Sequence, residues 1–172
     1  MILVLGGVGW GVYWWQWQVK SPGGREKKPL IGVLEKYDFD SLRQRGGVVS
    51  EMIMGANLEG VELRRKEKPI NFKSESFSFE SGGKRITGMI SIPMTTRSNK
   101  MAAIIMIRGY ADKEGYYTGS GSWRVADELA KAGLVTVSLD FLGFGGSDGE
   151  SLDMLEARFE KVPAVLDLIA SV

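Results

Sequence analysis

Two short runs dominated by aliphatic residues, at positions 102–107 and 134–139, bracket a stretch of helical spacing, and that succession restricts the fold more than any other feature of the chain. Residues 102–107 are unbroken apolar sequence between chain breakers, as expected of an interior strand buried on both faces of a sheet. Residues 123–132 follow helical periodicity, with Val125, Leu129 and Ala132 available for one face and Gly133 positioned to end the helix. Residues 134–139 form the next predicted strand and deliver Asp140 at its carboxyl end. A helix between two strands makes a parallel, right-handed crossover the default connection, so the fold class is α/β.

The flanking sequence extends this frame. Residues 74–79 alternate as a strand, Ser81-Gly82-Gly83-Lys84 supplies a turn, and residues 85–92 form a second strand closed by Pro93, together a β-hairpin. Beyond Gly149, Leu152, Leu155, Phe159, Val162, Leu166 and Ile169 recur every three or four residues, which predicts one amphipathic helix with those six on its buried face. Ser151 can cap that helix, Asp153 and Glu156 lie near its positive end, and Pro163 should kink it. The predicted order is therefore a hairpin followed by β-α-β-α.

The start of the chain differs in character. Residues 1–15 carry no charge, Trp14, Trp15 and Trp17 follow as an interfacial aromatic belt, and Lys20, Arg25, Lys27 and Lys28 come next. Residues 1–19 are expected to form a hydrophobic helix that anchors the protein in a membrane, on a side the basic residues leave open. A cleaved signal peptide on a secreted protein is the alternative, but no basic residue precedes the apolar run and no small-residue cleavage site ends it. Residues 20–29 read as a turn-rich linker. Residues 30–73 read as a partly structured extension, with a short helix near 39–45, a strand over 48–54 and a solvated charge run at 64–68. Residues 74–172 form the α/β domain.

Composition removes several chemistries. A formal net charge of +1 gives no support for a nucleic-acid partner. The absence of cysteine and histidine excludes disulfides and the common nitrogen and sulfur metal ligands, and the carboxylates are scattered, so neither metal nor cofactor is expected. Without histidine the chain also lacks the usual base that takes a proton from a nucleophilic serine. Gly145-Gly146-Ser147-Asp148-Gly149 matches the G-x-S-x-G string of a nucleophile elbow, but that serine must stand on a sharp turn directly between strand and helix. Here the predicted strand ends seven residues before Ser147, which reads instead as part of a glycine-rich loop. Asp140 reads as a loop brace accepting local backbone hydrogen bonds, and Arg108 as half of an ion pair with Asp112 or Glu114. The loop opened by Arg108-Gly109-Tyr110 leaves the carboxyl end of a strand, where open α/β sheets tend to bind ligands, and a backbone N–H there can face an oxyanion.

Four stretches carry a family likeness: Phe79 through Gly88 with Ile92-Pro93; Ile107-Arg108-Gly109-Tyr110; Ala126 through Gly133; and Asp140-Phe141-Leu142-Gly143-Phe144-Gly145-Gly146-Ser147, a D-x-x-G-x-G-x-S loop. In order and spacing they resemble the α/β-hydrolase superfamily, especially its serine peptidase and esterase branches related to prolyl oligopeptidase, dienelactone hydrolase and serine aminopeptidases. The resemblance implies that residues 74–172 are the N-terminal half of an α/β-hydrolase sheet, and that the backbone N–H of Tyr110 contributes to an oxyanion hole. It also implies a peptide or ester substrate, hydrolysed by acyl transfer to serine and then water. The nucleophile, acid and catalytic histidine would lie beyond Val172, leaving these 172 residues inactive alone. The family commonly has His-Gly where this chain has Arg108-Gly109. That departure and the missing histidine make a non-catalytic binding or structural relative the alternative.

Overall fold

A computed structural model describes residues 30–55, 71–94 and 101–172. Leu34–Val172 forms one compact unit. The expected anchor at 1–19, the linker at 20–29 and the charge run at 64–68 lie outside the described residues. Among those described, no helix is long and apolar enough to cross a membrane.

A short helix α1 (Leu30–Leu34) is followed by a 3-10 turn (Glu35–Tyr37). Helix α2 (Phe39–Arg45) follows, at the position its sequence predicts. The Asp38 carboxylate caps it by accepting a hydrogen bond from the Ser41 N–H at 2.6 Å, and Gly46 ends it in the left-handed region at φ +63°. Strands β1 (Ile53–Met54), β2 (Phe72–Ser81), β3 (Lys84–Pro93), β4 (Ala103–Met106) and β5 (Val135–Leu139) form one mixed sheet in the order β1-β2-β3-β5-β4. All neighbours are antiparallel except β4 and β5, which are parallel and joined through α3 (Trp123–Lys131). The hairpin turn between β2 and β3 is Gly82-Gly83, both at positive φ, the combination that a tight two-residue connection requires.

Cross-strand register sorts the side chains onto two unlike faces. Phe77, Gly88 and Leu139 align across three strands, as do Glu75, Ile90 and Val137, and Phe79 pairs with Ile86. This face is apolar, and Ala164 and Leu168 join its core. Gly88 makes room for it, because a Cβ there would strike the Phe77 ring and the Ser138 carbonyl. The opposite face aligns Ser76, Met89 and Ser138, with Ser78 beside Thr87 and Ser91 beside Thr136, every one of them buried. Small hydroxyl residues leave little relief, so α3 approaches this face through its smallest side chains, Ala126 and Ala130, both essentially fully buried.

That packing overturns the expected α3 stripe. Val125 is exposed and so is Ala132, while the alanines one residue after Val125 and after Leu129 carry the contact. Strand β4 departs from expectation as well. It stands at the end of the strand order with Ala103 exposed and Ile104 to Met106 half-buried, because no described strand pairs with its outer edge. The strand predicted over 48–54 contracts to two residues, since the Val48 and Ser50 N–H groups donate to the Asp167 carboxylate and the Ser171 hydroxyl rather than to a neighbouring strand.

The expected long helix after Gly149 is split into α4 (Glu156–Phe159) and α5 (Lys161–Ser171), separated at Glu160. Pro163 has no N–H to offer the Phe159 carbonyl, which accounts for the interruption. Asp153, not Ser151, caps α4, its carboxylate accepting from the N–H groups of Leu155 and Glu156. The orientation is also rotated from prediction: Leu152, Leu155, Phe159, Val162 and Ile169 are exposed, and Ala157, Ala164, Asp167 and Leu168 are buried.

Asp167 explains the rotation. Fully buried, it receives both guanidinium ends of Arg45 at 2.7 Å, the Val48 N–H at 2.8 Å and the Ser81 hydroxyl at 2.5 Å. One carboxylate thus joins α2, the segment after it, the β2 end and α5. Burial pushes its pKa up, but Arg45 first, then Ser81 and the Val48 amide, hold it below the ordinary carboxylate value. A depressed pKa stabilises the fold at any pH above the unfolded value near ~4, and that stabilisation is lost as pH falls toward and through the lower folded value. Asp167→Asn should cost roughly 3 kcal/mol at neutral pH, as expected on breaking a largely buried pair. The gap from the parent protein should narrow below about pH 4; denaturant unfolding at pH 7 and pH 3 showing an unchanged gap would contradict this assignment.

Candidate functional site

Parallel strands β4 and β5 end side by side, and the loops leaving them, followed by α4 and α5, surround an open cleft of about 990 Å³. Ile107, Val162, Val165 and Leu166 supply apolar lining, Val165 also packing against the core. Arg108, Lys113, Arg158 and Lys161 also line it, against a single carboxylate, Glu150, which Lys113 pairs at 2.6 Å. The excess of cations makes the cleft electropositive. A smaller cavity of about 390 Å³ lies beneath the hairpin turn, but its charged lining is already matched: Lys36 with Glu156, Lys84 with Glu160, and Arg45 with Asp167.

Asp140 organises the loops of the larger cleft. Its carboxylate is completely buried and accepts from the hydroxyls of Thr87, Tyr116 and Thr118, each at 2.8 Å, and from the Gly119 N–H at 3.1 Å. It is a brace, as expected, yet its partners are distant in sequence, from β3 and the loop after β4, and three of the four are side chains. Burial, then the Asp140 charge and hydrogen bond, push the Tyr116 phenol well above its ordinary pKa, so it remains a donor. Gly145 (φ +56°) passes so close that a Cβ would press on the Asp140 carboxylate.

Phe141, immediately after this brace, is the only non-glycine residue with positive φ among the described residues, at +62°. A left-handed aromatic residue costs on the order of 1–3 kcal/mol and persists only where its surroundings enforce it. Here the ring is buried, with the Arg108 guanidinium carbon 5.6 Å from its centroid and Lys161 Nζ at 5.8 Å.

Arg108 does not form the ion pair expected with Asp112 or Glu114. Its guanidinium lies 4.1 Å from the Phe144 ring centroid and 5.0 Å from that of Tyr116, and these two rings meet edge to face. One terminal nitrogen donates to the Asp140 carbonyl and the other to the Gly109 carbonyl, each at 3.0 Å. Asp112 instead accepts from the Tyr110 hydroxyl at 2.7 Å.

Tyr110, the residue singled out for an oxyanion role, lines the cleft and is 92% exposed. Its N–H makes no hydrogen bond to a described residue. Ser147 is placed differently. Its hydroxyl accepts from the Thr87 N–H at 2.9 Å and lies 3.2 Å from the Thr87 hydroxyl, while the backbone around it turns within the loop between β5 and α4. It fastens that loop to β3 and does not line the cleft. No cluster of His, Cys, Asp or Glu suited to a metal ion occurs among the described residues.

The Arg108 aromatic cage and the left-handed Phe141 escaped sequence reasoning because no periodic pattern links positions 108, 116, 141 and 144. The one available hint was compositional, an arginine where a strand enters a loop rich in tyrosine.

Replacing Asp140 with Ala should leave four donors from two segments, β3 and the loop after β4, without an acceptor and cost about 3 kcal/mol or more. Ser147→Ala, which removes one half-buried acceptor, should cost only about 1 kcal/mol. Thermal unfolding of the two variants beside the parent protein checks the ranking, and equal losses would refute the central role given to Asp140. No protein-family model matches this chain, and no curated protein matches it.

Proposed function

We propose that residues 74–172 are the leading part of an α/β-hydrolase-type domain, in which the loop after β4 contributes one oxyanion donor to a serine hydrolase acting on peptide or ester bonds. The observation that carries the reading is Tyr110: a backbone N–H without a partner among the described residues, at the carboxyl end of a parallel strand, in the wall of an apolar cleft rimmed by cations. Such a donor stabilises the negative charge that develops on a carbonyl oxygen when a nucleophile attacks, and the surrounding electropositive field acts in the same direction. The apolar lining suits the acyl portion of a substrate.

The chemical step needs groups that these 172 residues do not offer. With no histidine, and with Ser147 committed to Thr87, the nucleophile and its base would, on this reading, have to come from outside these 172 residues. Serine would attack the carbonyl carbon, the base would take the hydroxyl proton and return it to the leaving group, and water would release the acyl group by the same route. In this arrangement Asp140 and Arg108 keep the loops in place and take no part in proton transfer.

The protein encoded by the complete reading frame should react covalently with a fluorophosphonate probe, whereas residues 1–172 alone should not. Tyr110→Pro, which deletes the N–H, should slow labelling by about 10²- to 10³-fold, the usual effect of losing one oxyanion donor. Tyr110→Ala, which keeps it, should label nearly as fast as the parent. An unreactive complete protein would remove the hydrolase reading.

Attachment to a membrane through residues 1–19 belongs to the same proposal. The protein should sediment with membranes after alkaline carbonate washing and become extractable when those residues are deleted; extraction of the undeleted protein would refute it.

A further inference from the structure

We propose that Arg108 is a positioning residue for the oxyanion donor, acting through the peptide bond between Gly109 and Tyr110. The inference rests on the hydrolase reading above. It starts from a property of the backbone: the Gly109 carbonyl and the Tyr110 N–H belong to one planar unit, which is trans, so the two groups point in opposite directions. A contact that fixes the carbonyl also aims the N–H.

Arg108 Nη1 makes that contact, donating to the Gly109 carbonyl at 3.0 Å. On its own the bond would be weak, since it joins adjacent residues at an exposed position and Gly109 has no side chain to restrain its backbone. The guanidinium, however, cannot drift. Nη2 is fixed on the Asp140 carbonyl at 3.0 Å, and the planar group lies against Phe144 and Tyr116. Tyr116 is in turn held by the Asp140 carboxylate, and Asp140 by Thr87 on β3. The fork therefore transfers the rigidity of the sheet to one peptide plane at the exposed head of this loop.

Two effects follow. The N–H is held on the side of the peptide away from the guanidinium, so its orientation is set before a substrate arrives. A charged donor on the carbonyl also polarises the peptide and strengthens its N–H as a donor, as in any hydrogen-bonded chain. Lysine could provide the charge, but not the flat, two-pronged grip or the stacking on Phe144.

The test uses fluorophosphonate labelling of the protein from the complete reading frame, separating the maximal inactivation rate from the concentration for half-maximal rate. Arg108→Met, which keeps the length of the stem, should lower the maximal rate about tenfold with little change in the half-maximal concentration, a smaller loss than deletion of the donor itself. Arg108→Lys should recover only part of it. In a Tyr110→Pro background, Arg108→Met should have almost no further effect, because the group through which it acts is gone. Circular dichroism and a thermal midpoint on each variant establish that labelling is compared between folded proteins. If Arg108→Met fails to fold, the same cycle run with Arg108→Lys decides the matter. Losses that multiply in the double variant, or a maximal rate unaffected by Arg108→Met, would overturn the positioning role while leaving the hydrolase reading intact. An unlabelled parent protein would end both.

Discussion

Four hydrogen-bond donors converge on the carboxylate of Asp140, and the arrangement of both loops at the carboxyl end of the sheet depends on that convergence. A buried carboxylate without partners would be strongly unfavourable, so the donors from β3 and the loop after β4 are required for the fold to close around it. Once they are in place, Tyr116 offers its face to Arg108, and the Asp140 carbonyl takes one arm of the same guanidinium. The left-handed turn at Phe141 is the local cost of leading the chain away from so crowded a point.

A second carboxylate plays the corresponding part at another place in the same unit. Asp167 joins α5 to α2 and to the β2 end, and with Ala164, Asp167 and Leu168 facing inward, Val162 and Ile169 of α5 are left exposed. The apolar lining of the cleft is thus linked to an ion pair on the other side of the helix. Neither carboxylate acts by adding net charge attraction alone. Each satisfies several segments at once, which makes the segments mutually dependent.

The strand and helix succession was legible because it rests on local pattern. The Gly82-Gly83 turn, the alternation through Phe77 and Phe79, and the run through Ile104 and Ile105 specify the hairpin and the parallel β4 and β5 with little help from tertiary structure. The burial of helices was not legible, for a physical reason. Periodicity predicts that the largest aliphatic side chains point inward, but α3 meets a face rich in serine and threonine through Ala126 and Ala130, and α5 carries the polar Asp167 inward beside Ala164 and Leu168. At the site, Tyr110 could be chosen from its place after a strand. The neighbours of Asp140 and Arg108 could not, since they lie between 21 and 53 residues away from Asp140 and, Gly109 apart, between 8 and 36 from Arg108.

The hydroxyl-lined face of the sheet has a consequence for how this protein tolerates sequence change. On most helices that cover a sheet, large apolar positions vary least and small ones drift. Here the order is inverted across α3: Ala126 and Ala130 are fully buried, so an added methylene must displace packed neighbours, whereas Val125 faces solvent. A substitution profile of this helix would therefore run against its hydrophobicity, with the least conspicuous residues as the least replaceable.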